Sequence, residues 1–180
     1  DRQPAWSPDG LYIAFVSYRH EYTKDVEGSG RELFLMTSDS KDVHCLTCEK
    51  PYMPGIIKTL SNVNSPSWSP DGQHIIFVNG TSILNFNLDN AEIERIRTAF
   101  ETYWMFLEPS WSPTEDKIVF ACDPYEVSVR ICTMNSDGGG LLQLATEATA
   151  SGPTWSPDGQ RIYFISREEG SEGIYVINRD

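Results

Sequence analysis

This sequence is poor in the groups that chemistry and membranes call for first. Its 180 residues include three histidines, His20, His44 and His74, and no Gly-x-Ser-x-Gly elbow to present a nucleophile beside one of them. No apolar run approaches the ~20 residues that a spanning helix needs, and no basic-then-apolar leader opens the chain, so membrane insertion is not expected. Basic residues are also scarce, with 14 Lys+Arg against 26 Asp+Glu and a formal net charge of −12. A polyanion is held by clustered Lys and Arg that displace its counterions, so DNA, RNA and anionic lipid are disfavoured as partners. Asp1 stands where an initiator methionine would, and the chain begins almost inside its first motif. A leader or further repeats upstream would fit that start, which leaves the compartment weakly constrained, the cytoplasm included.

Metal and redox motifs are equally thin. Cys45-Leu46-Thr47-Cys48 has C-x-x-C spacing, but no second pair completes a zinc site and no βαβ pattern suggests a redox centre. It reads as structural or incidental, with a local disulfide and a metal ligand as the other readings. Cys122 and Cys132 fall on neighbouring strands; a register taken from the fourth repeat sets Cys122 opposite Ile131, which turns Cys132 to the other face. Asn85, Asn87 and Asp89 imitate the opening of a calcium loop, but Asn90 replaces the required glycine and Ile96 the bidentate glutamate. No metal and no cofactor is expected. Asn79-Gly80-Thr81 matches a glycosylation acceptor, yet a hairpin turn accounts for it.

What the chain does have is one segment written four times. Pro4-Ala5-Trp6-Ser7-Pro8-Asp9-Gly10 returns as Pro66-Ser67-Trp68-Ser69-Pro70-Asp71-Gly72, as Pro109-Ser110-Trp111-Ser112-Pro113 and as Pro153-Thr154-Trp155-Ser156-Pro157-Asp158-Gly159. An apolar run follows each copy: Ile13-Ala14-Phe15, Ile75-Ile76-Phe77, Ile118-Val119-Phe120 and Ile162-Tyr163-Phe164. The tryptophans stand 62, 43 and 44 residues apart. A period of ~40–50 residues built of short strands is that of a propeller or an array. Proline presets φ at the second turn position, and Gly10, Gly72 and Gly159 supply the positive φ that the turn needs. Asp9, Asp71 and Asp158 are explained as the turn's own hydrogen-bonding side chains. Trp6, Trp68, Trp111 and Trp155 are explained as packing that recurs with the unit.

The third unit carries a fourth strand after Ile131-Cys132-Thr133-Met134, the first matches it after Leu33-Phe34-Leu35-Met36, and Val78-Asn79-Gly80-Thr81 marks a two-residue hairpin in the second. The expected fold is therefore all-β: a β-propeller with four blades of up to four antiparallel strands, the last blade stopping short of its fourth. One propeller domain spans 1–180, with blades near 1–47, 64–97, 108–146 and 151–180 and insertions at 48–63 and 98–107. Thr114-Glu115 replaces Asp-Gly in the third unit, so either Glu115 takes an unfavourable backbone angle or the turn changes type. Four blades are the low end of closed propellers, and dimerisation through an open end competes with a small closed ring.

These residues resemble the TolB-type, WD-like propeller repeat, whose blade reads roughly P-x-W-S-P-D-G-x-x-I-x-F and ends on L-T, here Leu46-Thr47 with Ala145-Thr146 in its place in the third unit. The resemblance implies an extracytoplasmic, commonly periplasmic, propeller. It also implies either an interaction platform or the gating part of a larger hydrolase such as a prolyl-oligopeptidase-like peptidase, without catalytic residues of its own.

In an up-and-down meander the second-to-third loops and the blade crossings share one end, and here that end gathers the long stretches 18–32, 48–65 and 98–108. Tyr18, His20, Tyr22, Tyr52, Met53, Tyr103, Trp104 and Phe106 lie on them. Tyr and Trp anchor interfaces because they combine large apolar area with a polar tip. These residues are the candidate contacts for a protein or peptide partner; the competing reading is a lid that buries its own aromatics, with 100–107 as a short amphipathic helical turn. Glycan binding by the same aromatics is a third reading.

Overall fold

A computed structural model describes residues 1–19, 30–48, 62–98, 105–123, 129–144, 149–168 and 171–179. Among them are fifteen strands, grouped in four antiparallel sheets, and no α-helix. The first blade holds β1 (Arg2–Trp6), β2 (Tyr12–Ser17), β3 (Glu32–Thr37) and β4 (Val43–Cys45). The second holds β5 (Val63–Trp68), β6 (His74–Asn79), β7 (Ser82–Asn87) and β8 (Ile93–Thr98). The third holds β9 (Met105–Trp111), β10 (Lys117–Asp123), β11 (Arg130–Asn135) and β12 (Leu142–Gln143). The fourth has β13 (Ala150–Trp155), β14 (Arg161–Glu168) and β15 (Ser171–Asn178). Every sheet is a meander in chain order, the blade of a β-propeller.

Blades cohere through three apolar layers, one at each junction. Ala14, Val16 and Leu33 of the first blade meet Trp68, Ile75 and Phe77 of the second. Ile76, Val78 and Ile83 of the second meet Phe106, Ile118 and Phe120 of the third. Val119 and Ile131 of the third meet Trp155, Ile162 and Phe164 of the fourth. Because side chains alternate along a strand, β6 sends Ile75 and Phe77 backward and Ile76 and Val78 forward. The second strand of a blade is thus apolar on both faces, and its sequence reads as a continuous run.

The first strand of each blade carries a bulge that the sequence did not announce. Register shifts occur between Arg2 and Ala5, between Asn64 and Ser67, opposite Val119 and Ala121, and between Ser151 and Thr154. At each one the residue before the repeated proline has positive φ: Gln3 51°, Ser65 52°, Glu108 52° and Gly152 58°. A bulge re-aims the strand and increases its twist. Here it also joins blades, for Ser65 N–H donates to Gln3 Oε1 at 2.9 Å and Gly152 N–H to Glu108 Oε2 at 2.6 Å.

Four expectations are corrected. Residues 105–107 extend β9 instead of forming a helical turn, since Met105, Phe106 and Leu107 pair with Asp123, Cys122 and Ala121. In the second-blade hairpin Asn79 pairs with Ser82, which makes Gly80 and Thr81 the two loop residues, one place later than the motif suggested. In β10 and β11 Cys122 lies opposite Arg130 and Phe120 opposite Cys132; this one-residue slip returns both cysteines to one face, where they form a disulfide with Cα atoms 5.9 Å apart. Cys45 and Cys48 are bridged as well, their Cα atoms 5.6 Å apart. The C-x-x-C pair is therefore a disulfide, with Cys45 closing β4 and Cys48 three residues on.

Candidate functional site

The meander gives each blade two ends of different character. At one end lie the Ser-Pro-Asp-Gly turns, and in three of them the same bonds recur. Ser7, Ser69 and Ser156 each donate Oγ–H to the following Asp9, Asp71 and Asp158 at 2.5 Å. The same carboxylates accept from the N–H groups of Leu11, Gln73 and Gln160 at 3.0 Å. Hydrogen bonds from the serine hydroxyls, then from those backbone groups, hold all three carboxyls below the ordinary range for aspartate. Each turn ends on a glycine of positive φ, 72° at Gly10 and Gly72 and 67° at Gly159.

The third turn departs from this pattern and changes type, for Glu115 is not among the residues of positive φ. Ser112 Oγ there accepts N–H bonds from Thr114 at 3.4 Å and Glu115 at 3.2 Å. Neighbouring turns elsewhere nest on their glycines: Gly72 lies against Pro8, and a Cβ on Gly159 would collide with Thr114 Oγ1. Glu115 occupies the nesting position of the third turn, and a cavity of about 380 Å³ opens between the second and third blades. Asp71, His74, Asn85, Trp111, Glu115 and Asp116 are on its wall. Trp68 and Trp155 donate Nε1–H to the carbonyls of Ala5 and Ser110 in the preceding blade, at 2.9 and 3.1 Å. Trp111 instead donates its backbone N–H to Ser67 Oγ at 3.0 Å, and its buried Nε1 has no partner.

The opposite end is where the second-to-third connections and the blade crossings leave the described strands. Of the eight candidate contacts, His20, Tyr22, Tyr52, Met53, Tyr103 and Trp104 lie outside the described residues. Tyr18 follows β2 and is 40% exposed. Phe106 is 1% exposed, edge-on to Phe120 at 5.3 Å, so it is a core residue of the junction between second and third blades and not an exposed loop contact. Its place in β9, facing the second blade, accounts for the difference. Arg19 beside Tyr18 lies over the Phe15 and Phe34 rings at 5.0 and 5.3 Å and pairs with Asp1 at 2.7 Å. Of the repeated tryptophans, Trp68 and Trp155 are buried at 8% and 7% exposure, whereas Trp6 of the first blade is 58% exposed.

A sheet meander repeated around three apolar junctions, with one strand bulge per unit and a Ser-Asp turn in three of the four, defines the chain as a β-propeller. The TolB beta propeller domain family matches residues 26–180, and the chain belongs to that family. It is similar to the uncharacterized protein Atu1656 of Agrobacterium fabrum, 26% identical over an alignment of 179 residues that covers 89% of this chain and 53% of that protein. It is likewise 26% identical over 164 residues to the uncharacterized peptidase YuxL of Bacillus subtilis, covering 89% of this chain and 21% of YuxL. Among solved structures, TolB from Acinetobacter baumannii superposes with a TM-score of 0.75 at 21% identity, over 98% of this chain and 40% of that one. The chain thus spans about half of Atu1656 and about a fifth of YuxL. No helix among the described residues is long and apolar enough to cross a membrane.

Proposed function

We propose that this propeller is a non-catalytic module that binds a protein or peptide partner through the end bearing its long insertions, in an extracytoplasmic compartment. The observation that carries the reading is topological. Four meander sheets direct their second-to-third connections and blade crossings to one end and their tight turns to the other, and the sequences that run between β2 and β3, β4 and β5, and β8 and β9 are rich in aromatics, which supports the reading. Tyr18 is exposed at that end and offers the mixed apolar and polar surface that interface anchors use. Two disulfides support an oxidising compartment, because such bridges are rare in reducing cytosol.

The test is capture of a periplasmic or secreted partner by immobilised protein, comparing wild type with Tyr18→Ala and with a Tyr103→Ala/Trp104→Ala pair. Loss of capture with an unchanged melting temperature is the expected result; unchanged capture by all variants rejects the reading. A second reading, that the propeller is the substrate-access part of a larger peptidase, is favoured by the likeness to YuxL, which is named a peptidase and of which this chain matches a fifth. Sequencing the full gene separates the two, since an adjoining hydrolase domain is required by the second and not by the first.

A further inference from the structure

We propose that the cavity between the second and third turns is a receptor for an arginine side chain presented by a peptide or protein. It lies at the short-turn end and stands independently of the partner site described above. The cavity exists because the third unit lacks the turn glycine, so a side chain separates two turns that nest on each other elsewhere. Its wall is rich in acceptors. Asp71 uses Oδ1 within its own turn, which leaves Oδ2 for a ligand, and Asp116 adds a second carboxylate. Asn85 gives its amide nitrogen to His74 Nδ1 at 3.2 Å, and its buried Oδ1 has no donor.

The indole of Trp111 forms an aromatic wall, its centroid 6.2 Å from the His74 ring. A guanidinium answers this set: it is planar, carries five donors and no acceptor, and stacks on aromatic faces while its edges reach carboxylates. Glu115 on that wall pairs with Arg179 from the end of the fourth blade, which leaves Asp71 and Asp116 as the carboxylates for a ligand. Carboxylates repel an anionic ligand, and the net charge of −12 draws cations toward the surface. A lysine ammonium is compact and strongly hydrated and would make poorer use of the indole.

The experiment is a titration of the isotope-labelled chain with N-acetyl-arginine amide, following the Trp111 indole N–H resonance, assigned through Trp111→Phe. The citrulline analogue serves as the neutral isostere and a neutral disaccharide as a second control. Saturable movement of that resonance is expected with the arginine probe, weakened by added salt and by about tenfold or more in Asp116→Asn, as loss of a charge-assisted hydrogen bond implies. The Thr114→Asp/Glu115→Gly pair, which restores the repeated turn and lets it nest, should abolish the response. Absence of saturable movement overturns the proposal. So does equal binding of citrulline amide or the disaccharide, or undiminished binding in Asp116→Asn.

Discussion

Replacing Ser69 by alanine would isolate what the repeated serine contributes to a turn. Ser69 is 2% exposed; its Oγ donates to Asp71 and accepts the N–H of His74 at 3.0 Å. The substitution leaves that N–H and one carboxylate oxygen without their partner, at a cost of about 2 kcal/mol, within the range for hydrogen bonds to partly buried and charged groups. For a chain of this length the melting temperature should fall by about 4–8 °C near pH 7. The loss should also depend on pH. Because the Ser69 hydroxyl, ahead of the Gln73 N–H, lowers the Asp71 pKa in the folded protein, the bond's contribution is complete above the ordinary aspartate value. It disappears as pH falls through the lowered folded value, so the Ser69→Ala deficit should shrink in strongly acidic solution to the share of the His74 N–H bond. Ser112→Ala is the internal control: among the described residues Ser112 Oγ accepts two long N–H bonds and makes no hydrogen bond to an aspartate, so its smaller cost should not vary between pH 3 and pH 7. Calorimetry of both variants over that interval decides the matter. Equal costs, or a Ser69→Ala deficit that stays constant into acid, would refute the reasoning.

Three further outcomes follow from the blade comparison. Ile83 and Ile174 hold the same register position, opposite Val78 and Ile165, yet Ile83 is fully buried and Ile174 is 81% exposed. Urea titration should therefore give a loss of about 2–5 kcal/mol for Ile83→Ala and less than about 0.5 kcal/mol for Ile174→Ala. Gly152→Ala places a side chain at φ 58° and should cost about 1 kcal/mol in the same assay, as expected for a left-handed residue without its glycine. Removing the buried bridge as Cys122→Ala/Cys132→Ala should lower stability by about 2–3 kcal/mol, the loop-closure value for the ten-residue separation.

Much of the fold was legible because each blade repeats the same local instructions. The Pro-x-Trp-Ser-Pro-Asp-Gly segment carries its own turn chemistry, and Asp9, Asp71 and Asp158 make the bonds expected of turn aspartates. The bulge before each proline was not legible, since Gln3, Ser65 and Glu108 are ordinary residues whose positive φ is imposed by the ladder and by contact with the adjacent blade. Register was the other weak point. Cys122 and Cys132 change from opposite faces to a disulfide on a single-residue slip, and local sequence carries too little energy difference to choose between registers. The cavity was half visible: the missing glycine at Glu115 was readable, the opening it leaves was not.

Sequence by itself determined that the chain forms repeated antiparallel meanders and that three of its four repeated turns are closed by serine and aspartate. These follow from short-range chemistry and from the two-residue period of a strand. Tertiary structure decided which faces become junctions, why Trp6 is exposed while Trp68 is buried, and where an unmatched turn opens a cavity. Those outcomes depend on which neighbour a blade meets, and identical local motifs acquire different surroundings only when the blades are packed side by side.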